Sequence, residues 1–303
     1  MPLIQYCSVA GGNFGDDINL QLWPRLFPDL ANLTGRALFY GVGTVLDGRH
    51  DAGVRKVVLG AGLGRSLAGR PDPNWDFRWV RGPQTARQFG IPGELGLGDS
   101  AILWPELLPG HDRTGPVGLI PHHATWDSFD WAEVASKAQM VAINPRQAPD
   151  AVITQMRTCS RVLAESLHGA ICADTMGIPW AACVLAHRFN EFKWRDWLAT
   201  VDRPYAPLVM SVPLVRSITM GKSMVNRLAR AVGYQRCTRH PALRPLAAAT
   251  QQDVKRVAAA LHAYGKRADH FSCSDPRAVA RQKERMLLRC EEFARDYKLR
   301  FTP

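Results

Sequence analysis

RVLAESLHGAICAD, the stretch from Arg161 to Asp174, joins a strand directly to a helix and decides the fold. Arg161–Ala164 is a short apolar run of strand length, and Leu167–Met176 continues with the apolar content of a buried helix. The strand is predicted to end at Glu165 and the helix to begin near Ser166. A strand followed at once by a helix is the repeating unit of parallel α/β folds.

The same alternation continues through the first two thirds of the chain and predicts mainly parallel sheets covered by helices on both faces. Further strand-like runs are Leu3–Val9, Ala37–Tyr40, Lys56–Leu59, Phe77–Val80, Val117–Pro121, Met140–Ile143 and Trp180–Val184. Further helix candidates are Asp16–Leu26, Pro83–Phe89, Trp131–Ala138 and Asp150–Cys159. Beyond Pro213 the pattern changes to long helical stretches, Thr250–His262 and Asp275–Lys298, without a strand signal.

A turn-rich linker, Leu107–Pro116, divides the alternating part into two α/β units. We therefore expect an N-terminal lobe at residues 1–112 and a second lobe at residues 113–213. A basic helical region at residues 214–303 is expected to pack back on the lobes. In two-lobed α/β proteins, ligands bind where the loops after the strands of both lobes meet. Polar residues directly after strands are therefore the candidates for a functional site.

The positive charge is concentrated in the last third of the chain. Residues 1–215 hold 19 Lys or Arg and 20 Asp or Glu, whereas residues 216–303 hold 19 and 7, so the net charge of +11 lies there. A basic helical region suits anionic lipid, nucleic acid or a diphosphate-bearing substrate, or is simply a solvated arginine-rich surface. Its few aromatic residues offer no platform for stacking bases, so no nucleic-acid partner is expected.

The seven cysteines are scattered, odd in number and without a C-x-x-C pair. This pattern argues against a disulfide framework or a zinc site and favours free thiols in a reducing compartment. The N-terminus shows no secretion signal, and no apolar run approaches the length of a membrane span. We expect a soluble or peripheral protein.

His168 is the sharpest candidate for chemistry. It falls in the first turn of the predicted helix, where free N–H groups and the helix dipole favour a bound anion. Gly169 would allow close approach, and a bound phosphate would favour the charged imidazole, so His168 is a candidate proton donor. Ser166 lacks the flanking glycines of the G-x-S-x-G nucleophile motif. A buried structural histidine is the alternative.

Other polar clusters also follow predicted strands. Asp16 and Asp17 either cap the helix that they begin or act as a base toward sugar hydroxyls. Arg81 stands at a strand end before Gly82-Pro83, where a guanidinium suits a phosphate or carboxylate. His122 and His123 stand at another strand end, but no third ligand nearby completes a metal site. One of the two histidines is a more plausible acid or anion contact.

Two other features allow two interpretations each. Gly60-x-Gly62-x-Gly64 follows a strand, but Arg65 stands where the dinucleotide motif requires glycine, which favours close backbone packing over nucleotide binding. Lys193-Trp194-Arg195-Asp196-Trp197 alternates tryptophans with charges. Such a pattern is typical of carbohydrate contact and is equally explained by packing between lobes.

Taken together, these motifs resemble the polysaccharide pyruvyl transferase family, and within it the ketal-pyruvate transferases of xanthan and succinoglycan type. The resemblance covers about residues 3–200. The motifs that carry it are Gly12–Asp17, the Gly41/Gly43 turn, Arg81-Gly82-Pro83-x-Thr85, Pro121–His123, Glu165–Ile171 and Lys193–Trp197.

The resemblance implies two Rossmann-like lobes of the GT-B kind, with phosphoenolpyruvate as donor and no cofactor or metal. It implies a saccharide acceptor, linked to a lipid diphosphate at the inner face of the cell membrane, and therefore a cytoplasmic protein. In the wider family an arginine precedes Leu-His-Gly, whereas this chain has Ser166. Arg81 is the expected replacement for that cation.

The resemblance also implies roles for the candidate residues. His168 or His123 would protonate the enol carbon, and Asp17 or Glu165 would accept hydroxyl protons. The predicted donor contacts are Asn13, Arg81, His122, Ser166 and Gly169, and the predicted acceptor contacts are Asp16, Lys193, Trp194 and Trp197. The alternatives are a GT-B glycosyltransferase that uses a nucleotide sugar, and a non-catalytic scaffold at the membrane surface.

Overall fold

The structure, a computed structural model, describes residues 3–46, 53–64, 71–104, 106–127, 129–185, 190–210 and 250–303. Within these ranges the named strands form two sheets, and every pairing between them is parallel. The expected boundary at residue 213 and the first part of the basic region, residues 214–249, lie outside the described residues.

The N-terminal lobe is built on a three-stranded sheet in the order β1-β2-β3. β1 and β2 are almost wholly buried, as parallel strands between helices are. Pro83 begins the third helix and Gly90, with φ 66°, ends it. The elements are β1 (Ala37–Tyr40), β2 (Arg55–Leu59), β3 (Trp75–Trp79), α1 (Phe14–Asp17), α2 (Asn19–Leu26) and α3 (Pro83–Phe89).

The second lobe is built on a five-stranded sheet in the order β5-β4-β6-β7-β8. Its strands are β4 (Val117–Ile120), β5 (Met140–Ala142), β6 (Arg161–Ala164), β7 (Trp180–Val184) and β8 (Leu208–Val209). Its helices are α4 (His123–Trp126), α5 (Trp131–Lys137), α6 (Pro149–Arg157), α7 (Leu167–Met176) and α8 (Glu191–Leu198). Nearly every residue of α7 is buried, so this helix lies in the interior of the molecule.

Two C-terminal helices, α9 (Gln251–Gly265) and α10 (Pro276–Tyr297), pack on different lobes. α9 lies against α5 in the core of the second lobe. α10 lies against the N-terminal lobe, where Phe293 contacts Phe27 edge-on with ring centroids 5.1 Å apart. In the described part of the chain, no helix combines the length and apolar character needed to cross a bilayer.

The predicted fold class is confirmed: parallel sheets with helices and a helical C-terminal region, consistent with a GT-B-like layout of two lobes. The predicted strand Leu3–Val9 is wrong, because this segment contacts the sheet only at a single bridge between Ile4 and Phe39. The first helical segment begins at Phe14 rather than Asp16. It continues through Ile18, whose φ of −51° and ψ of −33° are helical.

Candidate functional site

His168 lies in the first turn of α7, where the second lobe meets helix α1 of the N-terminal lobe. A Cβ atom added to Gly15 would lie 2.0 Å from His168 Nδ1, so only glycine fits at this point of α1. The helix is positioned by Ser166, whose hydroxyl accepts the N–H of Gly169 at 3.3 Å. The start of α7 therefore presents the imidazole to the junction of the two lobes.

Asp99 faces the same imidazole from the N-terminal lobe. Its carboxylate is fully buried, with Oδ1 accepting the N–H of Ala101 and Oδ2 lying 3.6 Å from His168 Nε2. Neither Oδ2 nor Nε2 has a hydrogen-bond partner among the described residues. A carboxylate at this distance attracts a protonated imidazole. The pair can thus hold a proton donor in one orientation.

Asp16 contributes a second buried carboxylate from α1. Its Oδ2 accepts the side-chain amide of Asn13, whereas its Oδ1 has no partner among the described residues. A Cβ atom on Gly43 would lie 2.2 Å from that free oxygen. Burial raises the pKa of Asp16 to about 6, against the opposing effect of nearby His168 and Lys193. A carboxyl group with this pKa can accept a proton near neutral pH.

Asp17, one of the predicted bases, caps its own helix. Its Oδ2 accepts the backbone N–H of Asn13 at 2.9 Å, and its side chain is partly exposed. Asn13 in turn is engaged by Asp16 and Asp17, so its predicted contact with a donor has no support from this geometry. Of the two adjacent acids, Asp16 is the one whose free oxygen lies in the buried cluster.

The geometry gives the predicted catalytic role of Glu165 no support. Its two carboxylate oxygens accept the backbone N–H groups of His122 and Leu185, each at 2.9 Å. Glu165 therefore joins the loops that follow β4 and β7, and both of its oxygens are occupied. Ser166 caps α7, and a Cβ atom added to Gly169 would lie 3.3 Å from Ile120, so the donor contacts expected of these two residues have no support from this geometry either.

His122 and His123 lie side by side with ring centroids 4.2 Å apart. His122 Nδ1 accepts the N–H of Ala124 in the first turn of helix α4 and so caps that helix. Burial lowers the pKa of both rings, that of His123 to about 4, and the Lys193 ammonium acts in the same direction. At neutral pH only about one His123 ring in a thousand would carry the proton of an acid. His168 is therefore the better candidate for the proton donor.

Arg81 was predicted to neutralise the donor, and the structure contradicts this role. The side chain is fully buried, with its guanidinium bound to Thr44 Oγ1 at 2.7 Å and to the Leu63 carbonyl at 3.0 Å. Its Nε lies 3.6 Å from the buried carboxylate of Asp196 on α8. Gly62 leaves room for it, since a Cβ atom there would lie 2.2 Å from Arg81 Cζ. Arg81 is thus a structural cation, already neutralised.

Asp196 joins the lobes at this point. Its carboxylate accepts the N–H groups of Gln84 and Thr85 at 2.9 and 3.0 Å, and the Thr85 hydroxyl at 2.6 Å. Gly82 allows the close approach, because a Cβ atom there would lie 2.1 Å from the Asp196 carbonyl oxygen. The motif from Arg81 to Thr85 therefore binds helix α8 of the second lobe.

Trp194 and Trp197 were predicted to stack on a sugar, and this prediction is wrong. Both indoles are buried in the core, where they pack against Trp180. A sugar cannot reach rings in this position. Lys193, by contrast, is partly exposed and close enough to Asp16 and His122 to affect their pKa values. Of the predicted acceptor contacts on α8, only Lys193 lies at the site.

The chain was compared with known proteins. It is 37% identical over 207 residues to the succinoglycan biosynthesis protein ExoV of Rhizobium meliloti strain 1021. The chain is a homologue of an exopolysaccharide biosynthesis protein. The predicted resemblance to proteins of exopolysaccharide biosynthesis, of the succinoglycan type, is thereby confirmed. The match covers 67% of this chain and 66% of the relative, slightly less than two thirds of the relative's length. No family model matches the chain, and no solved structure matches it.

Sequence analysis of this ExoV homologue missed two residues of the site, Asp99 and Arg146. Asp99 stands between Gly98 and Ser100 and has the sequence context of a turn, so nothing local marks it as a partner of His168. Arg146 closely follows the predicted strand Met140–Ile143. Its position after a strand is the same signal that marks the other candidates, so the sequence was sufficient to find it. Its guanidinium binds the Ala10 carbonyl at 2.9 Å and the Asp127 carboxylate.

Proposed function

We propose that this ExoV homologue transfers pyruvate from phosphoenolpyruvate, as a ketal, onto a sugar of an exopolysaccharide repeat unit and releases phosphate. The observation that carries the proposal is the buried cluster of His168, Asp99 and Asp16. Each side chain has a polar atom without a hydrogen-bond partner among the described residues. Buried polar groups normally find partners, and exceptions mark sites where a ligand supplies them.

The chemistry assigns a step to each of these groups. His168 gives its proton to the methylene carbon of phosphoenolpyruvate, which leaves an oxocarbenium-like centre at the neighbouring carbon. A sugar hydroxyl bonds to that carbon and loses its proton to Asp16. Asp99 holds the imidazole in orientation and stabilises its charged form.

A second sugar hydroxyl then forms the other carbon–oxygen bond of the ketal as the bond to phosphate breaks. The proton of this hydroxyl leaves with the phosphate, and the proton taken by Asp16 returns to His168. The substrates supply every atom of the products, and no cofactor or metal enters the proposed reaction. Phosphate and the ketal are the only products.

The proposed acceptor is linked to a lipid diphosphate, and the enzyme acts in the cytoplasm at the inner face of the cell membrane. The basic C-terminal third supports this part of the proposal, since residues 216–303 carry 19 Lys or Arg and only 7 Asp or Glu. Clustered cations of this kind attract anionic lipid surfaces. Replacing exposed cations of the two C-terminal helices, Lys255, Arg256, Arg281 and Lys283, by glutamine is expected to weaken sedimentation with anionic liposomes while leaving the packed helices in place. Unchanged sedimentation would rule out a membrane role for these helices.

The test is phosphate release from phosphoenolpyruvate against a panel of lipid-linked oligosaccharides. We expect release with one acceptor class and a loss of about 100-fold or more in His168→Gln. Phosphoenolpyruvate should also stabilise the protein thermally, whereas nucleotide sugars should not. Stabilisation by nucleotide sugars alone would indicate a glycosyltransferase. Unchanged polymer pyruvate content in cells carrying His168→Gln would indicate a non-catalytic scaffold.

A further inference from the structure

Phosphoenolpyruvate carries a phosphate and a carboxylate, and the site must supply a cation for them. Arg81 cannot do so, because it is fully buried and paired with Asp196. Arg146 is occupied as well, since its guanidinium binds Asp127 and the carbonyl of Ala10. Ser166, directly before Leu167-His168-Gly169, carries no charge, and its hydroxyl caps α7. The cation for the donor therefore comes from another element.

Among the residues that the structure describes, Lys193 is the remaining candidate near His168. It lies in the first turn of α8 and, among the described residues, has no carboxylate within ion-pair distance. Contacts described above place the start of α8 beside the cluster: Asp196, one turn further along α8, pairs with Arg81, and Arg81 binds Thr44 at 2.7 Å. Thr44 follows Gly43, where an added Cβ atom would lie 2.2 Å from Asp16 Oδ1. Lys193 is close enough to Asp16 and to His122 to affect their pKa values. Its charge thus acts on the polar groups that both lobes contribute to the cluster.

The surroundings also favour an anion beside Lys193. Burial and the Arg81 guanidinium lower the pKa of Lys193 to about 8, so the ammonium lacks solvation that water would normally supply. An anionic ligand would restore the missing interaction and hold the ammonium in its charged form. The backbone of α8 is fixed, because Asp196 binds the start of α3.

We propose that Lys193 is the donor-binding cation of this site and contacts the phosphate or carboxylate of phosphoenolpyruvate. This inference rests on the proposed function and changes the role predicted for Lys193 from the acceptor to the donor.

The decisive measurement is binding of phosphoenolpyruvate by calorimetry in the absence of any saccharide. Lys193→Met should weaken binding by roughly 10- to 100-fold, the range expected for a lost charge-assisted hydrogen bond. Lys193→Arg should retain most of the affinity. Arg195→Met is the matched control, because Arg195 lies on the same helix, is exposed and pairs with Glu191. It should bind phosphoenolpyruvate like the parent protein.

Two outcomes separate failure of the inference from failure of the proposed function. If the parent binds phosphoenolpyruvate and Lys193→Met binds it equally well, Lys193 is not the donor cation. If the parent neither binds phosphoenolpyruvate nor releases phosphate from it, the proposed function itself is wrong. A folding defect is recognised by comparing the thermal transitions of Lys193→Met and Arg195→Met in the absence of ligand.

A pH profile provides a second readout that a purely structural lysine would not change. Above about pH 8, as Lys193 loses its proton, the kcat/KM of the parent for phosphoenolpyruvate should fall more steeply than that of Lys193→Arg, which keeps its charge. Burial raises the pKa of Cys7, that of Asp16 is about 6, and those of both neighbouring histidines are lowered, so none of these four groups accounts for a change near pH 8. Arg81, Glu165 and Asp99 also face Lys193. An equal fall in both proteins would contradict the inference.

Discussion

Replacing Asp196 by alanine removes the carboxylate that joins helix α8 to the N-terminal lobe. The two N–H groups at the start of α3 would lose their acceptor, and Arg81 would remain buried without a countercharge. Breaking a buried ion pair from one side costs about 3–5 kcal/mol, most of it from the charge left behind. Because domains are stable by only about 5–15 kcal/mol in total, this is a large share.

Equilibrium unfolding in urea, followed by tryptophan fluorescence and circular dichroism, measures the loss. Glu191→Ala is the control on the same helix, because its ion pair with Arg195 is exposed and worth about 1 kcal/mol or less. The double variant Arg81→Met with Asp196→Ala should cost less than the sum of the two single changes, since no buried charge is left unpaired. Two results would refute this account of the contact between Asp196 and the Arg81–Thr85 segment. One is additivity of the two single changes, and the other is a decrease of less than about 1 kcal/mol in the unfolding free energy of Asp196→Ala.

Three further predictions concern the cluster around His168. Gly15→Ala should lower phosphate release about 100-fold, because the added methyl group displaces the imidazole of His168. Gly93→Ala is the control and should leave phosphate release unchanged, because no atom lies within 4 Å of the added carbon. Asp99→Asn should lower kcat by about tenfold or more with little change in the KM for phosphoenolpyruvate, as expected of a positioning residue. Asp16→Asn should raise the unfolding free energy at pH 8 by about 1–3 kcal/mol but hardly at pH 4. The direction follows from the raised pKa of Asp16, because ionisation of a buried carboxyl group destabilises the folded state. The contribution of Asp16 to the unfolding free energy is therefore complete below about pH 4 and is lost as pH rises through 6. This prediction would be contradicted if the unfolding free energies of the parent and Asp16→Asn differed by the same amount at pH 4 and at pH 8.

Local patterns predicted the elements of the fold well. The strand Arg161–Ala164 and the helices Pro83–Phe89 and Leu167–Met176 have the predicted bounds, because apolar runs, a Pro at a helix start and a Gly at its end act within a few residues. Leu3–Val9 has a similar pattern but only one bridge to the sheet. Whether this segment forms a strand depends on its pairing with a strand far along the chain, and no local sequence pattern indicates that pairing.

The site depended more on contacts distant in sequence. Arg81 and Glu165 stand at strand ends, as a ligand-binding residue does, yet each is occupied by a group far along the chain. Their partners could not be found without the fold. The error at Trp194 and Trp197 was avoidable, because two large apolar residues three apart on a helix lie on one face, and such a face usually packs on a core.

The residues that carry the family resemblance therefore have two roles in this chain. Some hold the two lobes together, and others form the cluster around His168. Arg81 to Thr85 and Asp196 are two sides of one contact, and they hold α8 against the N-terminal lobe. A second contact holds the loop before α6, where the Pro145 carbonyl accepts the N–H of Phe14. With the lobes joined on both sides of His168, its distances to Asp99 and Asp16 are set by the fold. Groups held in place before the substrate arrives need little reorganisation during the reaction.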